Sequence, residues 1–350
     1  MNNLNAILSQ LKGLKKDDLR TLSKRILMQL QGPDETETEA SDAVQVCRKC
    51  GLQGGVSKYG KDHKGQQRYR CKHCGRLFYK TSGSVISHSH RDLSTWEQYI
   101  ACLLQGLSLQ KCARICGIST RSAFLWRHKI LSTLQKDQTD RALGGIVELD
   151  ETFFSISYKG NHEKSKCFVM PREPHRRGND CNAQTGSRAC VMCAIERNGQ
   201  VYAEVLGKGQ PTIAMLSHAF DSRILSDSIV LSDKAVGARH YFEQKERIQH
   251  IALSAVANPN KKFGPPEIRG AFHIQNVNNM HARVRKFLKK YNGVATKYLN
   301  HYINLFVWID NHKKLTDCAL DCELQNVIVS KNSYASGASI YSLPPIPCVS

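Results

Sequence analysis

Four cysteines in two short pairs have the residue type and spacing needed to hold a metal ion. Cys47 and Cys50 form the first pair and Cys71 and Cys74 the second, in the pattern C-x2-C-x20-C-x2-C, and a glycine follows each pair. Two intervening residues let two thiolates converge on one ion, and the glycine relieves the tight turn that this requires. Four thiolates form the closed tetrahedral site typical of structural Zn²⁺. The alternative is four unrelated buried cysteines.

The segment around these cysteines, residues 46–80, is basic and contains aromatic residues. Tyr59, Tyr69 and Phe78 lie among the charges. The cations include Lys58, Lys61, Lys64, Arg68, Arg70, Lys72, Arg76 and Lys80. Cations interleaved with rings suit phosphate contacts together with packing or stacking, so nucleic acid is the expected partner. A solvated charged face is the alternative.

Two aspartates lie in or at the end of apolar segments that predict strands. Asp150 follows alternating apolar residues in a strand over 146–154, and Asp233 closes a second apolar run over 229–232. A carboxylate in a core strand costs desolvation free energy unless it holds a cation or a partner. Two of them on neighbouring strands would hold Mg²⁺, and two ions could activate an attacking oxygen and stabilise a leaving oxygen. A strand-end cap or a surface charge is the alternative for each.

Glu148 and Glu151 flank Asp150 in the sequence. Side chains alternate along a strand, so Glu148 is expected on the same side as Asp150 and is a minor candidate for a supporting acid. The sequence does not resolve whether Glu151 faces the site.

A helix predicted from Gln275 carries a polar stripe beside an apolar one. The apolar stripe consists of Val277, Met280, Val284, Phe287, Leu288 and Tyr291. Asn278, Arg285 and Lys289 fall together on the flanking stripe. A polar ligand near the helix start, followed two and three turns later by cations, could reach both a metal site and a DNA phosphate. An exposed basic helix face is the alternative.

The elements that must position the two aspartates make up a core predicted over residues 145–310. A hairpin is predicted over 189–195 and 201–205, around Arg197-Asn198-Gly199. A helix over 237–247 precedes a strand over 248–253, and helices over 275–291 and 296–311 follow. Strands followed by helices indicate an α/β or α+β core. Residues 158–187 are interpreted as a long basic loop, and Cys190 and Cys193 as core thiols.

The residues before this core predict a multidomain chain. A helical segment over 1–32 and an acidic linker over 34–42 precede the cysteine-containing segment. Residues 90–136 read as helices over 93–104, 108–115 and up to Leu131, with a turn at Gly117-Ile118-Ser119 and Ser119 or Thr120 as N-cap. Such a turn is typical of a helix-turn-helix, whose last helix enters the major groove. The candidate DNA contacts are Arg121, Arg127, His128 and Lys129; a plain three-helix bundle is the alternative.

Composition narrows the class of protein. A formal net charge of +20 over 350 residues favours a polyanionic partner. We expect no membrane span and no signal peptide, since no apolar run is long enough and the first residues lack a basic start followed by an apolar stretch. Without a signal peptide, the 14 cysteines indicate thiols or metal ligands in a reducing compartment, the cytoplasm. The tail over 311–350 carries no clear signal.

Several motifs together resemble one family over most of residues 1–310. They are Glu148 to Phe153, Ser157 to His162, Pro171 to Gly178, Ser232-Asp233, Phe272 to Arg283, and Phe287-Leu288 through Gly293 to Leu299. With the zinc ribbon and helix-turn-helix before them, they resemble the bacterial insertion-sequence transposases that have an N-terminal zinc ribbon and an RNase H-like core.

The resemblance implies an RNase H-like fold, cleavage of DNA at element ends with Mg²⁺ (Mn²⁺ as an alternative), and strand transfer into target DNA by a homo-oligomer. It implies that Asp150 and Asp233 are metal-binding acids. Asn278 occupies the third position, which is Glu in many such enzymes and Asn in one branch. Arg285 stands where a Lys follows. A neutral amide binds metal more weakly and is no general base at pH 7. Two rival hypotheses are an inactive DNA-binding protein derived from a transposase, and a nuclease that cuts without joining.

Overall fold

A computed structural model of the chain describes residues 46–63, 65–87, 89–139, 141–159, 188–254, 267–330 and 334–347. The expected helical segment over 1–32, the linker over 34–42 and nearly all of the expected long loop lie outside the described residues. The described residues form two compact units, one ending at Gly83 and one beginning at Ser84. No helix among these residues is both long and apolar enough to cross a membrane.

The first unit is a three-stranded antiparallel sheet of β1 (Val56–Lys61), β2 (Gln67–Cys71) and β3 (Leu77–Tyr79). Its small core consists of Cys47, Tyr69, Cys71 and Phe78. Among the described residues of this unit, so few apolar side chains bury too little surface to stabilise the sheet by themselves, and a cross-link such as a bound metal would add stability.

The second unit begins with three helices and continues into a mixed α/β core. The helices are α1 (Leu93–Leu104), α2 (Leu109–Cys116) and α3 (Thr120–Thr139). The core elements are β4 (Ile146–Ser155), β5 (Arg188–Glu196), β6 (Val201–Lys208), α4 (Ile213–Phe220), β7 (Ser228–Asp233), α5 (Val236–Glu243), β8 (Ile248–Leu253), α6 (Gln275–Lys289), a 3₁₀ turn (Thr296–Tyr298) and α7 (Leu299–Asn311). Two further helices, α8 (Asp317–Ser330) and α9 (Gly337–Tyr341), follow within the tail.

The core sheet has the strand order β6-β5-β4-β7-β8. The pairs β4–β5 and β5–β6 are antiparallel, whereas β4–β7 and β7–β8 are parallel. The predicted strands over 146–154, 229–233 and 248–253 are confirmed to within a residue, and the hairpin forms around Arg197-Asn198-Gly199. The strand that carries Asp150 is therefore central in the sheet.

Both faces of this sheet are covered, which explains the apolar runs in its strands. Val147 and Leu149 point toward a cluster that includes Leu216 and Phe220 of α4 and Phe242 of α5. The opposite face, which includes Val191 and Cys193 of β5, packs under α6 and α7. Alternation along β4 therefore places Glu148 and Asp150 on the side of α6, and Glu151 on the side of α4 and α5.

The three N-terminal helices share one hydrophobic core with α6, α7 and the tail helices. Gly117 has φ of 60°, a left-handed conformation that ends α2. The Ser119 hydroxyl accepts a hydrogen bond of 3.0 Å from the Ser122 amide and caps α3, as the sequence predicted. Leu324 and Ile328 of α8 are fully buried, so the tail contributes to this core.

Candidate functional site

The four cysteines predicted to bind zinc converge in the first unit. One ligand atom from each of Cys47, Cys50, Cys71 and Cys74 lies within 4.8 Å of the others. The Sγ atoms of Cys47 and Cys74 are 3.8 Å apart, as are those of Cys50 and Cys71. Four sulfurs at the usual Zn–S distance of about 2.3 Å from one ion lie about 3.8 Å from each other. The residues present therefore fit a tetrahedral Zn²⁺ ion.

Both cysteine pairs have the same local backbone. The amide of Gly51 donates to the carbonyl of Cys47, and that of Gly75 to the carbonyl of Cys71, each over 2.9 Å. Both glycines have positive φ, 75° and 71°, which side chains disfavour. The glycine after each pair thus makes the predicted turn, and it aims both sulfurs of the pair at one point.

One exposed edge of this unit combines cations with an aromatic ring. The β1 side chains of Lys58, Tyr59 and Lys61 are exposed, and the Arg70 guanidinium lies 5.5 Å from the Tyr59 ring centroid. Tyr69 and Phe78 are instead buried, with ring centroids 5.9 Å apart. Of the three aromatic residues noted in the sequence, Tyr59 is the one placed to contact a ligand.

The second cluster forms where β4 and β7 separate. Carboxylate oxygens of Asp150, Glu151 and Asp233 lie within 4.8 Å of one another. β4 pairs with β7 only as far as Glu148–Leu231, and beyond that point side chains from both faces of β4 can meet at the gap. Glu151 joins the cluster although alternation places it opposite Asp150. The structure thus brings the two predicted aspartates together and adds a glutamate.

Two acids of this cluster have raised pKa values, because they are buried and lie close to other carboxylates. Burial, followed by the negative charges of Asp233 and Glu151, raises the pKa of Asp150 to about 7. Burial and Asp233 likewise raise the pKa of Glu151 to about 7. Three carboxylates held together against their repulsion form a donor set suited to a hard divalent cation. The residues present therefore fit Mg²⁺ or Mn²⁺.

Helix α6 lines the same site with His281 and Arg285. The His281 Nε2 is 3.4 Å from the Asp150 carbonyl oxygen, and burial lowers the pKa of His281 to about 4. This ring is neutral at pH 7 and adds no positive charge. Arg285 donates a 2.6 Å hydrogen bond to the Thr152 hydroxyl, and its charge opposes the rise in the pKa of Asp150.

Asn278 lies on the same stripe of α6, one turn before His281 and two before Arg285. Its side chain is exposed and makes no side-chain hydrogen bond to any described residue. Helical spacing therefore places Asn278 on the face of α6 that carries His281 and Arg285. Among the described residues, the acidic cluster consists of the three carboxylates of Asp150, Glu151 and Asp233. The carboxylate of Glu151 supplies the third charge of the cluster.

Glu148 is completely buried and does not belong to the acidic cluster. Its Oε2 accepts hydrogen bonds from the amides of Asn276 (2.8 Å) and Val277 (3.2 Å), and Arg197 lies 2.9 Å from its Oε1. The expectation that Glu148 supports the metal site directly is wrong. Both of its carboxylate oxygens already contact the start of α6, and Oε1 also contacts Arg197.

A cavity of about 590 Å³ opens on the side of the cluster that Glu151 faces. Its lining includes Glu151, Asp233 and residues 234–238, which form the loop after β7 and the first turn of α5. Glu151 and Asp233 are therefore reachable from outside the protein.

Two of the four predicted DNA contacts on α3 are wrong. Arg127 is 2% exposed and His128 is 1% exposed. Arg127 donates to the Leu107 carbonyl (2.7 Å), and the His128 Nδ1 lies 2.8 Å from the Nδ1 of His301 on α7. Both residues lie on the face of α3 that packs inside the unit. Arg121 is exposed at the start of α3, and Lys129 is half-buried.

Comparisons with known proteins point to one family. The model of the ISXO2-like transposase domain matches residues 142–311, which include β4, β7, α6 and the acidic cluster. No curated protein matches the sequence. Solved structures with some similarity include the Mos1 strand transfer complex (14% identity, 69% of this chain and 79% of that chain, TM-score 0.21) and the Mos1 mariner paired-end complex with Mn (16%, 68% and 79%, TM-score 0.20). At such TM-scores these two likenesses carry no argument. Residues 142–311 of this chain are similar to the ISXO2-like transposase domain.

Proposed function

We propose that this protein is a DNA transposase that binds the ends of an insertion sequence, cleaves DNA there with a divalent cation and joins the ends to target DNA. The observation that carries the proposal is the convergence of Asp150, Glu151 and Asp233 inside the ISXO2-like transposase domain. We further infer that the core is RNase H-like. Three antiparallel strands followed by two parallel ones, with Asp150 on the central strand, support that fold.

The catalytic cation would be held by Asp150, Glu151 and Asp233. When bound, Mg²⁺ activates an attacking oxygen and stabilises the leaving oxygen of a phosphodiester. Asn278 remains the proposed occupant of the third family position, where its amide can orient a ligand without adding charge. The protein itself holds the three acids at the open end of β7, and a cation there keeps them ionised near neutral pH.

Arg285 is the proposed phosphate-orienting residue. Its hydrogen bond to Thr152 fixes the guanidinium beside the strand of Asp150. A guanidinium placed there can pair with a phosphate oxygen of the substrate and oppose the charge that develops on cleavage. A lysine in this position would offer a point charge without the planar fork.

DNA binding is assigned to two surfaces. The zinc-stabilised unit offers the cations and Tyr59 of its exposed edge, and the helix-turn-helix offers Arg121 at the start of α3. Phosphate contacts from such residues give affinity that falls with salt. Joining two ends at one target requires both to be held at once, so a homo-oligomer assembled on DNA is part of the proposal.

A plasmid assay tests the function. A supercoiled plasmid carrying the DNA that flanks the gene is incubated with Mg²⁺ and wild type, Asp150→Asn, Asp233→Asn or the control Glu243→Gln, whose side chain is 56% exposed. We expect cleavage and target-joined products from wild type and the control, and neither from the aspartate variants. Cleavage without joined products indicates the nuclease hypothesis. End-specific binding without cleavage in Mg²⁺ or Mn²⁺ indicates an inactive DNA-binding protein.

A further inference from the structure

Glu148 is a fully buried carboxylate that the proposed chemistry does not use. It is 0% exposed and lies on β4, two residues before Asp150. A buried carboxylate is strongly destabilising unless it is paired and hydrogen-bonded. The partners of Glu148 therefore indicate the role of its buried charge.

Those partners belong to the first turn of α6, whose amide groups have no partners within the helix. The Oε2 of Glu148 accepts from the amides of Asn276 and Val277, and the Oε1 accepts from the Asn276 side chain over 2.8 Å. The Gln275 amide donates to the His273 Nδ1 over 3.3 Å. Ile274, at the N-cap position, makes no side-chain cap. Glu148 thus caps a helix from a strand that lies far from it in the sequence.

A third element completes the connection. The Arg197 Nε lies 2.9 Å from the Glu148 Oε1, and its Nη2 donates to the Ala271 carbonyl over 2.9 Å. Arg197 belongs to the turn between β5 and β6. One carboxylate and one guanidinium therefore join the strand of Asp150, the neighbouring hairpin and the segment that leads into α6.

The position of this junction relates it to catalysis. Asp150 lies two residues after Glu148, and Asn278 lies two residues after Asn276. A shift of α6 by one residue would move Asn278 by about 1.5 Å along the axis. A misplacement of about 1 Å at a catalytic group can cost about a hundredfold in rate.

We propose that Glu148 is a positioning residue: it fixes the first turn of α6, and with it Asn278, relative to Asp150, without touching the cation or the DNA. This inference rests on the proposed function. It replaces the expected role of Glu148 as a supporting acid.

The test compares full-length wild type, Glu148→Gln and Asp310→Asn. Asp310 is the matched control, because it is 9% exposed and pairs with Arg283 near the middle of α6. Its removal weakens the packing of α6 without altering the first turn. The first measurement is the single-turnover cleavage rate at saturating DNA and Mg²⁺, with end-binding affinity measured alongside. The second is hydrogen–deuterium exchange of the amides of residues 275–280.

For Glu148→Gln we expect a rate lowered roughly 10- to 100-fold, DNA affinity within about twofold of wild type, and exchange at Asn276 and Val277 at least about tenfold faster. Asp310→Asn is expected to keep both the rate and that exchange near wild type. An unchanged rate or unchanged exchange in Glu148→Gln overturns the proposal. An equal rate loss in Asp310→Asn at equal thermal stability also overturns it, because the effect is then general destabilisation. If wild type does not cleave while Glu148→Gln exchanges faster, the proposed function fails and the helix-fixing contact is supported.

Discussion

The buried histidine pair between α3 and α7 predicts a loss of stability in acid. Burial, followed by the charge of His301 and of nearby cations, lowers the pKa of His128 to about 2. Burial lowers the pKa of His301 to about 4. Both values lie below the unfolded value of about 6.5. The pair therefore contributes its full stability above pH 6.5, and that contribution is lost as the pH falls toward the folded values.

The size of this effect follows from the same pKa values. At pH 5 an unfolded histidine binds a proton while either buried ring stays neutral, so each ring lowers the free energy of unfolding by about 2 kcal/mol relative to pH 7.5. Asp150 and Glu151 act in the opposite direction, since their raised pKa values favour proton uptake by the folded state. The pH dependence of wild type alone is thus a sum of opposed terms.

A variant isolates the histidine contribution. His301→Gln keeps a hydrogen-bonding side chain against His128 but does not titrate. Urea unfolding at pH 7.5 and 5.0 is followed by tryptophan fluorescence, because Trp96, Trp126 and Trp308 all lie in the second unit. We expect the loss of unfolding free energy between the two pH values to be about 2 kcal/mol smaller in His301→Gln than in wild type. Equal losses in the two proteins refute the reasoning that the ring of His301 is neutral because of burial.

Three further predictions concern metal and DNA. Removing zinc with a chelator, or the substitution Cys71→Ser, should unfold residues 46–83, because zinc binding in small modules supplies about 10 kcal/mol or more of folding free energy. The unfolding transition of the second unit, followed by tryptophan fluorescence, should be retained. A circular-dichroism signal from the first-unit sheet that survives zinc removal contradicts this prediction. Arg285→Gln should lower the cleavage rate roughly a hundredfold with little change in end binding, and an unchanged single-turnover rate argues against a phosphate contact. Arg121→Gln should weaken DNA-end binding, measured by filter binding, and reduce its salt dependence by about one ion. Arg127→Gln should instead lower thermal stability, measured by calorimetry, because it leaves buried partners unpaired. Weaker DNA binding in Arg127→Gln together with lower stability in Arg121→Gln contradicts the assignment of the buried and exposed faces of α3.

Elements with a clear periodicity of apolar residues could be predicted from the sequence. β8 has the predicted bounds, and α6 begins at the predicted Gln275. An element that packs against a core on one side repeats its apolar residues at the period of a strand or a helix, and this repeat can be read in the sequence. The cysteine pairs were predictable because their spacing and glycines are local features. Asp150 and Asp233 were predictable for a similar reason, because a charged residue that closes or interrupts an apolar strand can be recognised in the sequence.

The remaining features depend on three-dimensional placement. The sequence does not resolve whether Glu151 faces the site, because its carboxylate meets the cluster only where β4 separates from β7. Alternation places Glu148 on the same side as Asp150, yet its partners are Arg197 and the first turn of α6, which lies more than a hundred residues away in the sequence. For Arg127 the sequence does contain a signal of burial, because Ala123, Ile130 and Leu134 share its stripe at helical spacing. The tail helix α8 was missed because its acidic residues weaken the apolar stripe that Leu324 and Ile328 form.

The central claim is that Asp150, Glu151 and Asp233 together bind the divalent cation used in DNA cleavage. Titration of the zinc-loaded full-length protein with Mn²⁺, followed by electron paramagnetic resonance of the free ion, measures that binding without requiring turnover. We expect saturable Mn²⁺ binding that is lost in Asp150→Asn and in Asp233→Asn, weakened in Glu151→Gln and unchanged in Glu243→Gln. Mn²⁺ binding of wild-type strength in Asp150→Asn or Asp233→Asn contradicts the claim.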